Sequence, residues 1–378
     1  MTGLARNNRN REFLYRQLST ILRDEINNGK YKVGERLPSM DDLAASYNVN
    51  KVTVRRAMAE LRAAGLIYSI PAQGTYVSEQ PHAQTAPARG QTLTIGLISH
   101  ILVPGNIGLY HMDIIEGIRA EVSKHQANLV ILPVWHIDPQ IRILDLILQA
   151  RLDAAIFLGP FEQLPLRRMI ETGPPAVLLD HELRGAQVDS VLVDNRGGGY
   201  QAIDHLITMG HRSLAVICGP DEQSVSRDRQ MGVYDVLETS GLPKSALRTI
   251  PGTFERESGY RAMAQMIEGG LDNVPTGIFC LNDEMAAGAL QALHSMTTLR
   301  VPEDISIVGF DDTSWATATQ PPLTTIHIPR QFMGRLAVQR VISRLNDKSH
   351  TATTTIASTK LILRGSTAPL AKAAGAIK

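Results

Sequence analysis

The sequence predicts an α/β molecule in two parts: a small head of three helices closed by a β-hairpin, and a large body of two parallel-sheet lobes. Three observations predict it. Before residue 78, periodic apolar residues and capping signals outline three helices in quick succession, then two short apolar strands around Pro71–Gly74. From residue 93 onward, apolar β-rich runs alternate with helical patterns, as in sheets buried on both faces. Between them, EQPHAQTAPARGQT at 79–92 is rich in Pro, Ala, Gln and Gly without an apolar period, which makes it a tether.

In the head, Leu14, Leu18, Ile21, Leu22 and Ile26 recur at helical spacing, and Gly29 ends that helix. YKVGERLPS is a short extended connection. Ser39 reads as an N-cap, with Asp42 three residues on, opening a second helix over MDDLAASY. Asn48 suits a left-handed turn, and Asn50 caps a third helix within VNKVTVRRAMAELRAAGLI, which Gly65 stops. That helix carries Lys51, Arg55 and Arg56 on its first turns, with Ala57, Met58, Leu61 and Ala64 opposite. LIYSI and GTYV then pair as a hairpin. The order helix, helix, turn, helix, hairpin is that of a winged helix-turn-helix, whose third helix enters the major groove. There Arg pairs bidentately with guanine, Lys neutralises phosphate, and Thr serves either. A solvated cationic face is the other reading of one helix alone; the ordered set of caps, helices and hairpin favours the groove.

In the body, TIGLIS precedes a helix at 112–125, LVILPV one at 139–150, and AAIFLG one at 164–172. AVLLD, a helix at 196–209, LAVIC and helices at 225–240 and 256–268 follow. GIFCL, a helix at 283–295 and ISIVGF come next. Roughly ten strands suggest two lobes rather than one. Ligands of open α/β sheets sit beyond the carboxyl ends of the strands. Asp180, Asn282–Asp283 and Asp311–Asp312 occupy those positions.

The chain has 378 residues, 43% of them hydrophobic, and a net charge of +1 that hides an asymmetry. Residues 1–78 hold 12 Lys and Arg against 7 Asp and Glu, or +5, leaving 26 against 30, or −4, for the remainder. A basic head points to a polyanionic partner. Cys218 and Cys280 lie in apolar runs and read as buried small hydrophobes. MTGLARNNRNREF lacks the apolar core of a secretion signal, and no run reaches the roughly 18 residues of a membrane span, so a cytoplasmic protein is expected. NRGGG at 195–199 lacks the Lys-Ser/Thr of a phosphate loop and reads as a closely packed helix start. G-x-S-x-G, H-E-x-x-H and metal-spaced cysteines are missing, and the eleven histidines are scattered. The expectation is no enzyme, no metal and no cofactor.

Residues 34–77, GERLPSMDDLAASYNVNKVTVRRAMAELRAAGLIYSIPAQGTYV, resemble the DNA-binding domain of GntR-type bacterial regulators. The shared pattern is LPS, LA, V-x-K/R-x-TVR-x-A, GLI and GT-x-V. The resemblance implies DNA contacts by Lys51, Thr53 and Arg55, with Ser39, Gly74 and Thr75 completing the set. Asp41 stands where that family often has a basic or polar contact, and the wing reads IPAQG, without its usual basic residue and further glycine. More of the affinity is therefore expected from the third helix.

The body is similar to the effector domain of LacI/GalR repressors. AVLLDHELRGAQVDSVLVDNRGGGYQAIDHLITMGHRSLAVICG, SVSRDRQMG, GTFERESGYRAM, LNDEMAAGAL and VPEDISIVGFDDTSWATATQPPLTTI carry the likeness. It implies a periplasmic-binding-protein-like fold with two lobes, three crossing strands and a ligand in the cleft. By matched motifs the pocket residues are Asp180, Arg229, Phe254, Asn282 and Asp311; Tyr110 and His111 fall where the family's first-lobe contacts lie, with a surface histidine the alternative for His111. Carboxylates, an amide and a guanidinium suit vicinal hydroxyls, and Phe254 offers a wall for a sugar ring. Alternatively, Asp180, Asp311 and Arg229 cap helices or pair with one another.

Together the halves resemble regulators of the arabinose-repressor type: a head at 1–78, a linker at 79–92, an effector domain at 93–368 and a flexible tail at 369–378. The implied partners are a double-stranded DNA operator, a small effector (a sugar, or else a purine or phosphorylated sugar) and a second copy in a homodimer, with no membrane. A transport binding protein and a sugar-modifying enzyme are the rival classes.

Overall fold

The computed structural model describes residues 14–63, 66–70, 74–78, 92–100, 108–134, 140–347 and 349–370. It divides into two compact units, Met1–Gln91 and Thr92–Lys378.

The first unit holds α1 (Leu14–Asn27), α2 (Met40–Ser46) and α3 (Lys51–Ala63), then β1 (Ile67–Ile70) paired antiparallel with β2 (Gly74–Val77). Local chemistry sets these limits. Gly29 follows α1 with φ of 78°, and Asn48 makes the turn between α2 and α3 with φ of 52°. Ser39 and Asp42 form a reciprocal capping box at α2, and the Asn50 side chain accepts the Thr53 N–H at 2.7 Å. Leu18, Leu22, Leu43, Val54, Leu61 and Ile67 close the core. The expected helix stop at Gly65, the wing tip Pro71–Gln73, tether residues 79–91 and tail residues 371–378 lie outside the described residues.

The second unit runs β3 (Thr94–Ser99), α4 (Leu109–Lys124), β4 (Asn128–Pro133), α5 (Gln140–Gln149), β5 (Ala154–Leu158), α6 (Gln163–Thr172), β6 (Ala176–Leu179) and β7 (Asp189–Val193). It continues through α7 (Asn195–Thr208), β8 (Leu214–Ile217), α8 (Ser224–Thr239), β9 (Leu247–Ile250), α9 (Arg256–Glu268), β10 (Gly277–Cys280) and α10 (Asp283–Met296). It ends with β11 (Ser306–Asp311), α11 (Ser314–Ala318), β12 (Thr324–His327), α12 (Arg330–Asn346), β13 (Thr354–Ala357) and β14 (Lys360–Ile362).

Two six-stranded sheets result, ordered β13-β7-β6-β5-β3-β4 and β14-β12-β11-β10-β8-β9. Every pairing is parallel except β12 with β14. The first sheet with α4, α5, α6 and α12 makes one lobe; the second with α7 to α11 makes the other. The chain crosses between lobes after β7, after β12 and after β13, giving the three crossings that the family likeness implied.

Close helix packing sets the lobe interiors. A Cβ on Gly117 of α4 would fall 2.1 Å from the Gln331 carbonyl oxygen of α12, so only glycine lets these helices approach this far. The NRGGG segment opens α7 as expected, with Gly199 backed onto the Arg229 main chain of α8. Both cysteines are free and buried. At the end of the described residues the Leu370 N–H bonds the Met209 carbonyl at 2.8 Å.

Candidate DNA-contacting face and ligand cleft

The leading turns of α3 combine committed and uncommitted polar groups. Arg55 is exposed, with no hydrogen-bond or ion-pair partner among the described residues. Lys51 is exposed but meets Asp41 of α2 at 2.5 Å, so the acidic residue that departs from the GntR pattern occupies one of the expected DNA-binding cations. The Thr53 hydroxyl donates to Asn50 at 2.8 Å, leaving its lone pairs and methyl free to meet a groove. The Ser39 hydroxyl donates to Asp42 at 2.6 Å, so its donor serves the helix cap. Gly74 and Thr75 begin β2 next to the wing tip, Gly74 pairing with Ile70. A Cβ on Gly74 would fall 2.5 Å from the Arg36 side chain, and its φ is 129°. Sequence reasoning passed over Arg36, an exposed cation whose position in ERLPS places it beside the wing.

The cleft residues come from the carboxyl ends of strands in both lobes. Of seven non-glycine residues with positive φ among the described residues, four lie there: Asp180 at 58°, Phe254 at 66°, Asp311 at 98° and Asp312 at 54°. Such strained backbone collects at functional sites.

From the first lobe, the Tyr110 hydroxyl of α4 donates to Asp180 just past β6 at 2.9 Å. From the second, Arg229 of α8 donates to Asn195 at 2.8 Å, to the Leu281 carbonyl and to Asp311 at 3.2 Å. Its guanidinium lies 3.7 Å from the centre of the Phe310 ring. Arg229 and Asp311 therefore do pair, the alternative the sequence left open, while standing at the cleft. Tyr110 and Asp180 feel the charges of both, so the two pairs face one another across the lobes.

Burial pushes Asp180 up to about 6, against the Tyr110 hydrogen bond and the Arg229 charge that favour its anion. It also raises Asp311, opposed by Arg229 and Arg330, and drives Asp283 up to about 7. Asp283 sits behind the cleft, taking the Thr313 N–H at 2.7 Å and the Thr325 hydroxyl.

Asn282 caps α10 by accepting the Met285 N–H and donates to the Phe254 carbonyl, both at 2.8 Å. One amide hydrogen and one lone pair remain for a ligand, and the same amide fixes the loop that presents Phe254. The Phe254 ring lies against Gly219, where a Cβ would reach 2.1 Å. His111 touches the Tyr110 ring edge-on at 5.0 Å. Its Nδ1, like His181 Nε2, is buried with no hydrogen-bond partner among the described residues. Burial lowers His111 to about 4, so it is neutral near pH 7.

Sequence reasoning missed Asn195, which orients Arg229, and the buried Arg330 beside Asp311. Asn195 was legible as the polar residue opening the helix after VLVD; Arg330 had no comparable signal.

The comparisons agree with this architecture. Residues 14–77 match the gntR family of bacterial regulatory proteins, and residues 203–367 match the periplasmic binding protein-like domain. The chain is 31% identical over 320 residues to the HTH-type transcriptional repressor PurR of Shigella sonnei (strain Ss046), covering 82% of this chain and 92% of that one. It is 29% identical over 349 residues to the HTH-type transcriptional repressor CytR of Escherichia coli (strain K12), covering 90% and 99%. A solved LacI family transcriptional regulator from Enterococcus faecium with bound ribose matches with a TM-score of 0.65 at 25% identity, covering 74% of this chain and all of that one.

Proposed function

This chain belongs to the LacI family of helix-turn-helix transcriptional repressors, here with a GntR-type head, and on that premise we propose that it is a non-enzymatic repressor released from its operator by a neutral sugar. One observation carries the ligand class. Among the described residues the cleft cluster holds the carboxylates Asp113, Asp180, Asp311 and Asp312 against the guanidiniums Arg229, Arg330 and Arg364, and all three guanidiniums are already paired. A phosphorylated ligand needs a free cation. A polyol needs acceptors, a few donors and an apolar wall, which Asp180, Asp311, Asn282 and Phe254 supply. The ribose bound to the Enterococcus faecium regulator fits this reading.

The DNA contacts are assigned to Lys51, Thr53 and Arg55 of α3, with Ser39, Gly74 and Thr75 at the flanks and Arg36 added. The ligand contacts are assigned to Tyr110, His111, Asp180, Arg229, Phe254, Asn282 and Asp311. Two copies act together, because an operator of two half-sites needs two heads. A regulator of this kind works in the cytoplasm, with the DNA it controls. Ligand changes the lobe arrangement, and operator affinity falls by the difference in ligand affinity between the two arrangements.

The test is fluorescence anisotropy on DNA from upstream of the gene, with and without a pool of mono- and disaccharides. Binding that the pool reverses supports the reading. Binding that the pool leaves untouched, while a purine or sugar-phosphate pool reverses it, overturns the neutral-sugar assignment.

A further inference from the structure

Arg330 opens α12 immediately after the second crossing between the lobes, and its side chain is buried. Its guanidinium grips both lobes at once. On the second lobe it donates to the Asp311 carbonyl and, at 3.0 Å, to the Asp312 carbonyl, both at the end of β11. On the first lobe it donates through Nε at 2.9 Å and Nη2 at 2.7 Å to the Asp113 carboxylate of α4. It also lies 5.9 Å from the centre of the Tyr110 ring. A planar fork with five donors is the side chain that can fill this many acceptors in two directions.

We infer that Arg330 is a positioning residue: aimed by Asp113 on its own lobe, it clamps the lobes in the arrangement seen here through its bonds to the Asp311 and Asp312 carbonyls, and places that clamp on the ligand's own seats. The two carbonyls it holds belong to residues in left-handed backbone conformation, one of them the pocket carboxylate Asp311. The helix it reaches carries Tyr110, whose hydroxyl holds Asp180. A ligand that pulls on Asp311 or Asp180 therefore pulls on the groups the clamp is fastened to. Clamp and ligand then bias one equilibrium between lobe arrangements, and each changes the strength of the other by the same factor. This goes beyond the repressor reading, and its test needs neither ligand nor DNA, so the two stand or fall separately.

The test uses the full chain with spin labels at Leu164→Cys on α6 and Leu271→Cys in the second lobe, both positions exposed; the native cysteines are buried. Pulsed electron paramagnetic resonance then reads the distance between lobes. Asp113→Asn keeps Arg330 in place at the start of α12 and removes the carboxylate charge that aims its guanidinium at the two carbonyls across the cleft. Asp113 is partly exposed, so this variant folds. The expected result is a severalfold rise in the population at a second, distinct interlobe distance, with Asp113→Glu restoring the parent distribution. An unchanged distribution in Asp113→Asn overturns the inference. So does an equal shift in Asp113→Glu, because the carboxylate would then not be what aims the guanidinium.

Discussion

At Asp180 the chain keeps a carboxylate where burial opposes its charge. Its folded pKa of about 6 lies above the unfolded value of roughly 3.9, so between those limits the native state binds more protons than the unfolded chain. Stability is therefore lost as pH rises through that window, and the full cost is present above it. Asp180→Asn still accepts from Tyr110 and cannot ionise. Urea titrations should find it more stable than the parent by about 1–2 kcal/mol at pH 7.5, a difference that fades below pH 4. The same change should remove the sugar response; equal stability at pH 7.5 would mean that the carboxylate is solvated. Arg229 is the converse case. Arg229→Met leaves Asp311 buried without its cation and strips a donor from the Asn195 amide and the Leu281 carbonyl, which should cost about 3–5 kcal/mol in the same titration. Asp180 and Asp311 were legible because each polar residue ends an apolar run. Arg330 was not, because a residue just past a crossing follows neither helical nor strand periodicity.

Elements were legible where their period repeats. The sequence expectation for the helix at 112–125 began three residues late and that at 225–240 one residue late, while 256–268 matched α9. The strands β7, β9, β12, β13 and β14 were not singled out, because runs of three to five residues show too little alternation and earn their place by pairing with neighbours distant in sequence. Close packing of helices was legible only in part: NRGGG announced α7, whereas the single Gly117 gave no sign that α4 presses on the α12 backbone. Gly117→Ala forces these helices apart and should destabilise the second unit by about 1–3 kcal/mol, seen as a lower melting temperature. α3 should behave oppositely. Arg55 is exposed and has no hydrogen-bond or ion-pair partner among the described residues, so Arg55→Ala should leave the melting temperature unchanged. DNA affinity should fall about 10- to 100-fold in anisotropy titrations, the usual loss of one base-contacting arginine. Retained affinity would remove α3 from the interface.

Over the whole molecule, charge is segregated along the chain: +5 within residues 1–78 and −4 in the remainder. Attraction to DNA is thus confined to the head, while the acidic body resists non-specific adsorption. The leading turns of α3 carry three cations, Lys51, Arg55 and Arg56, and Lys51 is already engaged by Asp41. If each head neutralises roughly three phosphates, the slope of log affinity against log salt is about −3 for one head and about −5 for two. Two copies on two half-sites should therefore give the steeper slope between 50 and 200 mM salt, the range over which counterion release is readily measured. DNA carrying a single half-site should give the shallower one. Equal slopes on both DNAs would show that one head binds at a time, and the control of operator affinity would then have to act within a single chain rather than through the matching of two heads to two half-sites.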